Sequence, residues 1–235
     1  MEYPEVSLAI FQERPNRFIA ICQLADQQVT VHVKNTGKCR ELLIPGVTVA
    51  ITHNHNPQRK TAYDLIAVNK NGNWINIDSQ IPNDLAANGL QSGLITLPGV
   101  PKIKTVQREV VYLDSRLDIA GSFVDDRKFF VEVKGVTLER NGLAAFPDAV
   151  TTRGLKHVHT LTTAQRSGYQ AFLLFIVQMI GIDALTINAK LQSELAATIK
   201  TAQQAGVQVL AYDCDVTPAT ITLRQPVKFD LEQIF

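Results

Sequence analysis

A change of texture at Ile81 constrains this chain more than any other feature in it: the apolar runs before that point have the length of strands, and after it strands alternate with helical stretches. The early runs are Val6 to Phe11, Phe18 to Leu24, Val29 to Val33, Val47 to Thr52, Tyr63 to Val68 and Trp74 to Ile77. Val29, Val31 and Val33 alternate with Thr30, His32 and Lys34, the period of a strand with one face buried. Turn-forming residues separate the runs at Pro15-Asn16, Asp26, Pro45-Gly46, Asn56-Pro57 and Asn71-Gly72-Asn73. Between the third and fourth strands, Gly37 to Leu43 reads as a helical piece. Five or so antiparallel strands with one such interruption make a small closed β-barrel the economical fold for residues 1–80.

Residues 81–235 read as an α/β domain with the order α-β-β-β-α-β. Asn83 or Asp84 caps a helix running to about Gln91, and Leu97-Pro98-Gly99 breaks the chain. Strands follow at Val106 to Tyr112, Leu117 to Val124 and Phe129 to Val136. Thr151 or Thr152 then caps a helix through Ala164, ahead of a strand from Tyr169 to Val177. A last helix from Ala189 to Gly206 carries Leu191, Leu195, Ile199 and Ala202 on one stripe, and Val207 to Tyr212 closes the pattern.

Composition excludes several classes. With 46% hydrophobic and 19% charged residues the chain has ample core for its 235 residues and no disordered character. Its longest apolar run, Ala171 to Val177, is too short for a bilayer, so no membrane partner is expected. Met1-Glu2-Tyr3-Pro4 lacks a signal peptide's basic start, and the three cysteines (Cys22, Cys39, Cys214) are odd in number and scattered, so a reducing cytoplasm is expected and the thiols read as packing residues. A net charge of +1 means that any nucleic-acid binding needs a locally concentrated basic face. Self-association stays open.

The chemistry concentrates in Phe129-Phe130-Val131-Glu132-Val133-Lys134-Gly135-Val136, an apolar strand interrupted by two charges at i and i+2, hence on one face. A half-buried carboxylate asks for a counter-charge, donors or a metal ion. Asp118 lies among apolar neighbours on the preceding strand, joined through the Asp125-Asp126 turn, so a hairpin brings Asp118 and Glu132 within reach of one cation. Two carboxylates and the main-chain carbonyl of Val133 would suit Mg2+ or Mn2+, with Lys134 beside the attacking water. The plainer alternative is a Glu132–Lys134 salt bridge on a solvated face, with Asp118 at the surface.

Asp118 with Glu132-x-Lys134 resembles the PD-(D/E)XK nuclease signature. More specifically, Asn35-Thr36-Gly37, Glu109-Val110 with Ser115-Arg116-Leu117-Asp118, Glu132-Val133-Lys134-Gly135-Val136-Thr137, and Phe146-Pro147-Asp148-Ala149-Val150-Thr151 with Arg153-Gly154 and Lys156-His157 resemble the sugar fermentation stimulation protein A (SfsA) family across nearly the whole chain. That resemblance implies an N-terminal OB-like barrel, a C-terminal PD-(D/E)XK domain, DNA binding and a link to the regulation of sugar metabolism. Three positions depart from the family's pattern: Lys34 where Pro is expected, Leu113 where Gly is expected, and Ile119 where an aromatic is expected.

Around the acids, Glu109 is a candidate third metal ligand or else a partner for Arg108 or Arg116. Asp148 either reaches the site from its loop or is a turn residue. Arg153 and His157, at i and i+4 near a helix start, are expected to contact substrate phosphate, with Arg116 and Asp148 as further substrate-binding candidates, whereas Lys156 and His159 point elsewhere. In the barrel, Asn35-Thr36-Gly37-Lys38 and Arg40 form a phosphate-friendly loop. Arg14, Arg17, Lys34, Arg59 and Lys60 with Phe18, Tyr63 and Trp74 offer a charged stacking surface, unless those aromatics are barrel core. His53 and His55 suggest a metal, but no third ligand lies at a recognisable spacing, so they read as loop histidines. Three functions follow as expectations: a Mg2+- or Mn2+-dependent DNA endonuclease, a DNA-binding regulator of sugar metabolism without cleavage, or an enzyme acting on RNA or a nucleotide.

Overall fold

The computed structural model describes residues 1–35 and 37–235. Six strands come first: β1 (Val6–Asn16), β2 (Ile19–Leu24), β3 (Gln27–Val33), β4 (Thr48–His53), β5 (Tyr63–Lys70) and β6 (Asn73–Asn76). They hydrogen-bond in the order β3-β2-β1-β4-β5-β6, and parallel pairing of β3 with β5, from Val31↔Tyr63 to Val33↔Leu65, closes five of them into a barrel. The alternation explains the closure: Val31 and Val33 are buried, while Thr30 and His32 stay outside. Register shifts at Phe11/Glu13 and Glu13/Asn16 bend the long β1 around the barrel. The helix expected over Gly37 to Leu43 is instead a single turn. The amides of Leu42 and Leu43 both reach the Cys39 carbonyl, and Cys39 itself has φ 45°, a left-handed conformation that a right-handed helix does not contain.

Helix α1 (Ile81–Ser92) starts before its expected cap. The Asp78 carboxylate accepts from the Gln80 amide at 3.0 Å, Pro82 occupies the first turn, and the helix stops at Gly93 with φ 79°. There follow β7 (Ile103–Tyr112), β8 (Ser115–Phe123), β9 (Lys128–Val136), β10 (Leu138–Arg140), β11 (Leu143–Phe146), α2 (Thr152–Arg166), β12 (Gln170–Val177), β13 (Ala184–Ile187), α3 (Ser193–Gln204), β14 (Gln208–Val216), β15 (Ile221–Pro226) and β16 (Lys228–Phe229). The main sheet has the order β15-β14-β12-β9-β8-β7, an antiparallel β7-β8-β9 meander continued by parallel β12 and β14. The α-β-β-β-α-β order is thus present as expected. The short strands β10, β11, β13 and β16 form a second sheet that periodicity could not reveal, because two to four residues carry no period.

Alternation along β9 and β12 sorts side chains into two cores. Phe130, Val136, Leu173 and Phe175 pack with Val158 and Leu161 of α2 and Leu195 and Ile199 of α3. Phe129, Val131, Val133, Phe172 and Leu174 pack with Leu85 and Leu90 of α1. The first core continues into the barrel through residues such as Val33, Leu65 and Ile77, so the two halves share one apolar interior. The three cysteines are buried and unpaired, with burial pushing each thiol up to about 12, which fits packing roles. Leu113, where the family resemblance puts a glycine, turns between β7 and β8 with φ 53°, a conformation that costs a leucine about 1–2 kcal/mol. Among the described residues, no helix is long and apolar enough to cross a membrane.

Candidate active site

The β8–β9 ladder runs from Ser122↔Lys128 to Ile119↔Val131 and then stops. One step further, the same register would set Asp118 opposite Glu132. There the strands part, and the Asp118 side chain replaces the lost backbone partner, its Oδ2 accepting from the Val133 amide at 2.8 Å. Asp118 Oδ1 accepts from Asn83 Nδ2 of α1 at 3.0 Å. Glycine is required just past Lys134, because a Cβ on Gly135 would lie 2.5 Å from Gln178 Oε1 and 2.8 Å from Pro82 Cγ. That close approach presses the start of α1, and with it Asn83, against β9.

Glu132 is 1% exposed. Its Oε1 accepts from Lys134 Nζ and is hydrogen-bonded to His157 Nδ1 of α2. Its Oε2 is buried with no hydrogen-bond partner among the described residues. Burial pushes the Glu132 carboxyl up, but the His157 hydrogen bond and the Lys134 charge outweigh it and hold the group below its ordinary range. Asp118 goes the other way, raised first by burial and then by the neighbouring Glu132 charge, with Lys134 and its two donors opposing. A buried carboxylate oxygen without a donor is costly. Here it lies beside a second, reluctant carboxylate, an oxygen set that fits a hard divalent cation such as Mg2+ or Mn2+.

The structure thus brings Asp118, Glu132, Val133 and Lys134 together. His157 joins them in a different place from that expected. It is 4% exposed and bonded to Glu132, so the i, i+4 face shared with Arg153 turns inward at His157, and a buried imidazole is not a substrate contact. Arg153 remains exposed on the first turn of α2, its Nε 3.4 Å from His157 Nε2. Glu109 does not complete the acidic pair. It lies on β7 with φ 56° and a half-exposed side chain 3.8 Å from Arg116, which is itself mostly exposed. Among the described residues, the one group of three or more acids, histidines or cysteines that converges within 4.8 Å lies elsewhere, at Glu5, His53 and His55. Asn83 was missed because a helix-start asparagine carries no mark of facing a site.

Asp148 sits against the barrel's loop: a Cβ on Gly37 would lie 2.2 Å from its Oδ2, which is why that position is glycine. Several cations expected to bind phosphate are already engaged. Arg14 donates to the carbonyls of Gly37, Lys38, Arg17 and Asn35 at 2.7–2.9 Å, so its fork is engaged in shaping the loop. Lys34 is half-buried between Asp78 at 3.0 Å and Asp64 at 3.6 Å. Asn35 braces the loop, donating to the Ile77 carbonyl at 2.9 Å and accepting from the Gly37 amide at 2.7 Å. Thr36 lies outside the described residues. Arg59 pairs with Asp64, and Tyr63 and Trp74 are partly buried against the core. Arg17, Lys38 and Arg40 remain exposed and line one surface hollow, with Arg17 4.6 Å over the exposed Phe18 ring.

Fold and site together define a protein with an OB-like barrel ahead of an α/β part built on a mixed six-stranded sheet that carries a paired-carboxylate site. The family model described as "SfsA N-terminal OB domain" matches residues 13–77, and that described as "Sugar fermentation stimulation protein RE domain" matches residues 80–220. The chain belongs to the sugar fermentation stimulation protein family. It is 49% identical over 237 residues to the sugar fermentation stimulation protein homolog of Enterococcus mundtii, covering 100% of this chain and 98% of that one. The homolog from Lacticaseibacillus casei (strain BL23) is 49% identical over 230 residues, covering 98% and 95%. Among solved structures, that of Pyrococcus furiosus SfsA in complex with Ca2+ superposes with a TM-score of 0.87 at 25% identity, covering 98% of each chain.

Proposed function

We propose that this protein is a divalent-metal-dependent phosphodiester hydrolase acting on DNA, with residues 81–235 as its hydrolytic domain and the barrel of residues 1–80 adding affinity for nucleic acid. The observation that carries this reading is the partnerless, buried Oε2 of Glu132 beside Asp118. The relative from Pyrococcus furiosus, solved with Ca2+, lends support, since Ca2+ seeks the same oxygen ligands as Mg2+ and Mn2+.

Asp118, Glu132 and the Val133 carbonyl would hold Mg2+ or Mn2+, and the ion when bound would polarise the scissile phosphate and lower the pKa of the attacking water. Asn83 and the Val133 amide fix the Asp118 carboxylate. His157 holds Glu132 Oε1 from the α2 side, which leaves Oε2 without a partner among the described residues and available to a cation that Asp118 and Glu132 would hold. Lys134, one-sixth exposed, holds its ammonium beside Glu132, where it would offset the negative charge that builds on the phosphoryl group. Arg153 and Arg116, both exposed, would meet the flanking phosphates. A regulator that only bound DNA would have no use for an acid held charged, buried and short of one donor.

The shared cation is tested by calorimetric titration of Mn2+ into wild type and Asp118→Asn. The variant should lose most of its affinity at this site; unchanged affinity would show that the two acids do not share an ion.

A further inference from the structure

At the C-terminal end of β4, three side chains from distant parts of the sequence converge on one point. His53 ends β4, His55 lies in the loop after it, and Glu5, fifty residues before His55, stands immediately before β1. Glu5 Oε1 is 2.7 Å from His55 Nε2, His53 Nδ1 is 3.4 Å from the same His55 nitrogen, and Glu5 Oε2 is 3.8 Å from His53 Nδ1. The backbone holds this arrangement, because the His53 amide donates to the Glu5 carbonyl at 3.2 Å. Together with Tyr63 the three line a shallow surface hollow.

Hydrogen bonding alone serves this cluster poorly. His55 Nε2 carries at most one proton, yet it has both a carboxylate oxygen and an imidazole nitrogen within reach. A metal ion satisfies all three lone pairs at once. With Zn–N and Zn–O distances of about 2.0–2.1 Å and tetrahedral angles, neighbouring ligand atoms stand about 3.3 Å apart, a value that the 2.7, 3.4 and 3.8 Å separations here bracket, with the two Glu5 oxygens each facing one histidine. We propose that Glu5, His53 and His55 form a second metal site, separate from Asp118 and Glu132, that takes a borderline divalent transition cation such as Zn2+. Two imidazoles and one carboxylate favour Zn2+ and its neighbours over Mg2+ or Ca2+, whose ligands are oxygens, so the two sites select different ions.

The site also has a mechanical consequence. The segment before Glu5 is tied to the other domain: the Tyr3 amide donates to the Ala219 carbonyl at 2.8 Å, the Ile221 amide donates to the Met1 carbonyl at 2.9 Å, and Glu2 bridges Thr220. A cation held by Glu5 and the two histidines would therefore staple this N-terminal arm, and with it the edge of the nuclease-like domain, to the β4–β5 loop of the barrel.

The test is calorimetric titration of Zn2+ in a large excess of Mg2+, into wild type, Glu5→Gln, His55→Ala and Asp118→Asn. Glu5 and His55 are 60% and 69% exposed, so neither substitution threatens folding. Wild type and Asp118→Asn should each bind one Zn2+ that Glu5→Gln and His55→Ala do not, and Zn2+ at a hundredfold excess over its Kd should raise Tm by about 5–10 °C only where that ion binds. Equal stoichiometry and affinity in wild type and His55→Ala, or no Zn2+ bound by wild type, would overturn the assignment.

Discussion

Lys134→Ala should slow phosphodiester cleavage by about 10²–10³ while keeping Mn2+ binding and most DNA affinity, because one preorganised charge facing the transition state is worth that much. Lys134 Nζ bonds to Glu132 Oε1, and that oxygen also has His157, so removing the ammonium leaves the carboxylate anchored. A cation does not ligate a cation, hence the expected separation of rate from metal affinity. An ordinary exposed ion pair, worth roughly 1 kcal/mol or less, would leave the rate almost untouched. Single-turnover cleavage by the two proteins under saturating metal makes the comparison, and equal rates would remove Lys134 from the mechanism.

The second large effect is expected at the barrel. Of the cations in its loops, Arg17, Lys38 and Arg40 are exposed and border one hollow, whereas Arg14 and Lys34 are spent on loop carbonyls and on Asp78 and Asp64. Replacing Arg17, Lys38 and Arg40 with alanine should weaken duplex DNA binding about 10²-fold at 0.15 M salt and flatten the slope of log K against log salt by up to about 2.7, at roughly 0.9 per phosphate contact. The loss should be alike for all sequences, since phosphate contacts position without reading bases. Fluorescence anisotropy in EDTA over a salt series measures both quantities. An unchanged slope would mean that DNA does not run over this face. Deleting the barrel is a poorer experiment, because its core is continuous with that of the second domain.

Much of this was legible in the chain because the informative residues break a local pattern. Two charges inside the continuous apolar run of β9 and an aspartate among the apolar residues of β8 stand out against their neighbours, and the alternation of side-chain direction along a strand fixes which of them enter which core. What stayed hidden depends on distance along the chain. The inward turn of His157 needs the position of β9 relative to α2, and the engagement of Lys34 needs Asp64 and Asp78, thirty or more residues away. Glu5 has no spacing relation to His53 and His55 until β1 and β4 pair, Val6 meeting Thr52, so the third ligand of that cluster could not be read from sequence. The helix expected over Gly37 to Leu43 failed for a related reason: Leu42 and Leu43 are apolar because they join the core that the barrel strands enter, not because they line a helix face.

The central claim, metal-dependent hydrolysis of nucleic acid at Asp118 and Glu132, is tested most directly by incubating the purified protein with single-stranded, duplex and branched DNA and with RNA, in Mg2+ or Mn2+ and in EDTA, beside Asp118→Asn. The account predicts cleavage of DNA by wild type with either ion, abolished by EDTA and by the substitution. Absence of cleavage on every substrate, or cleavage that survives EDTA or Asp118→Asn, would contradict it.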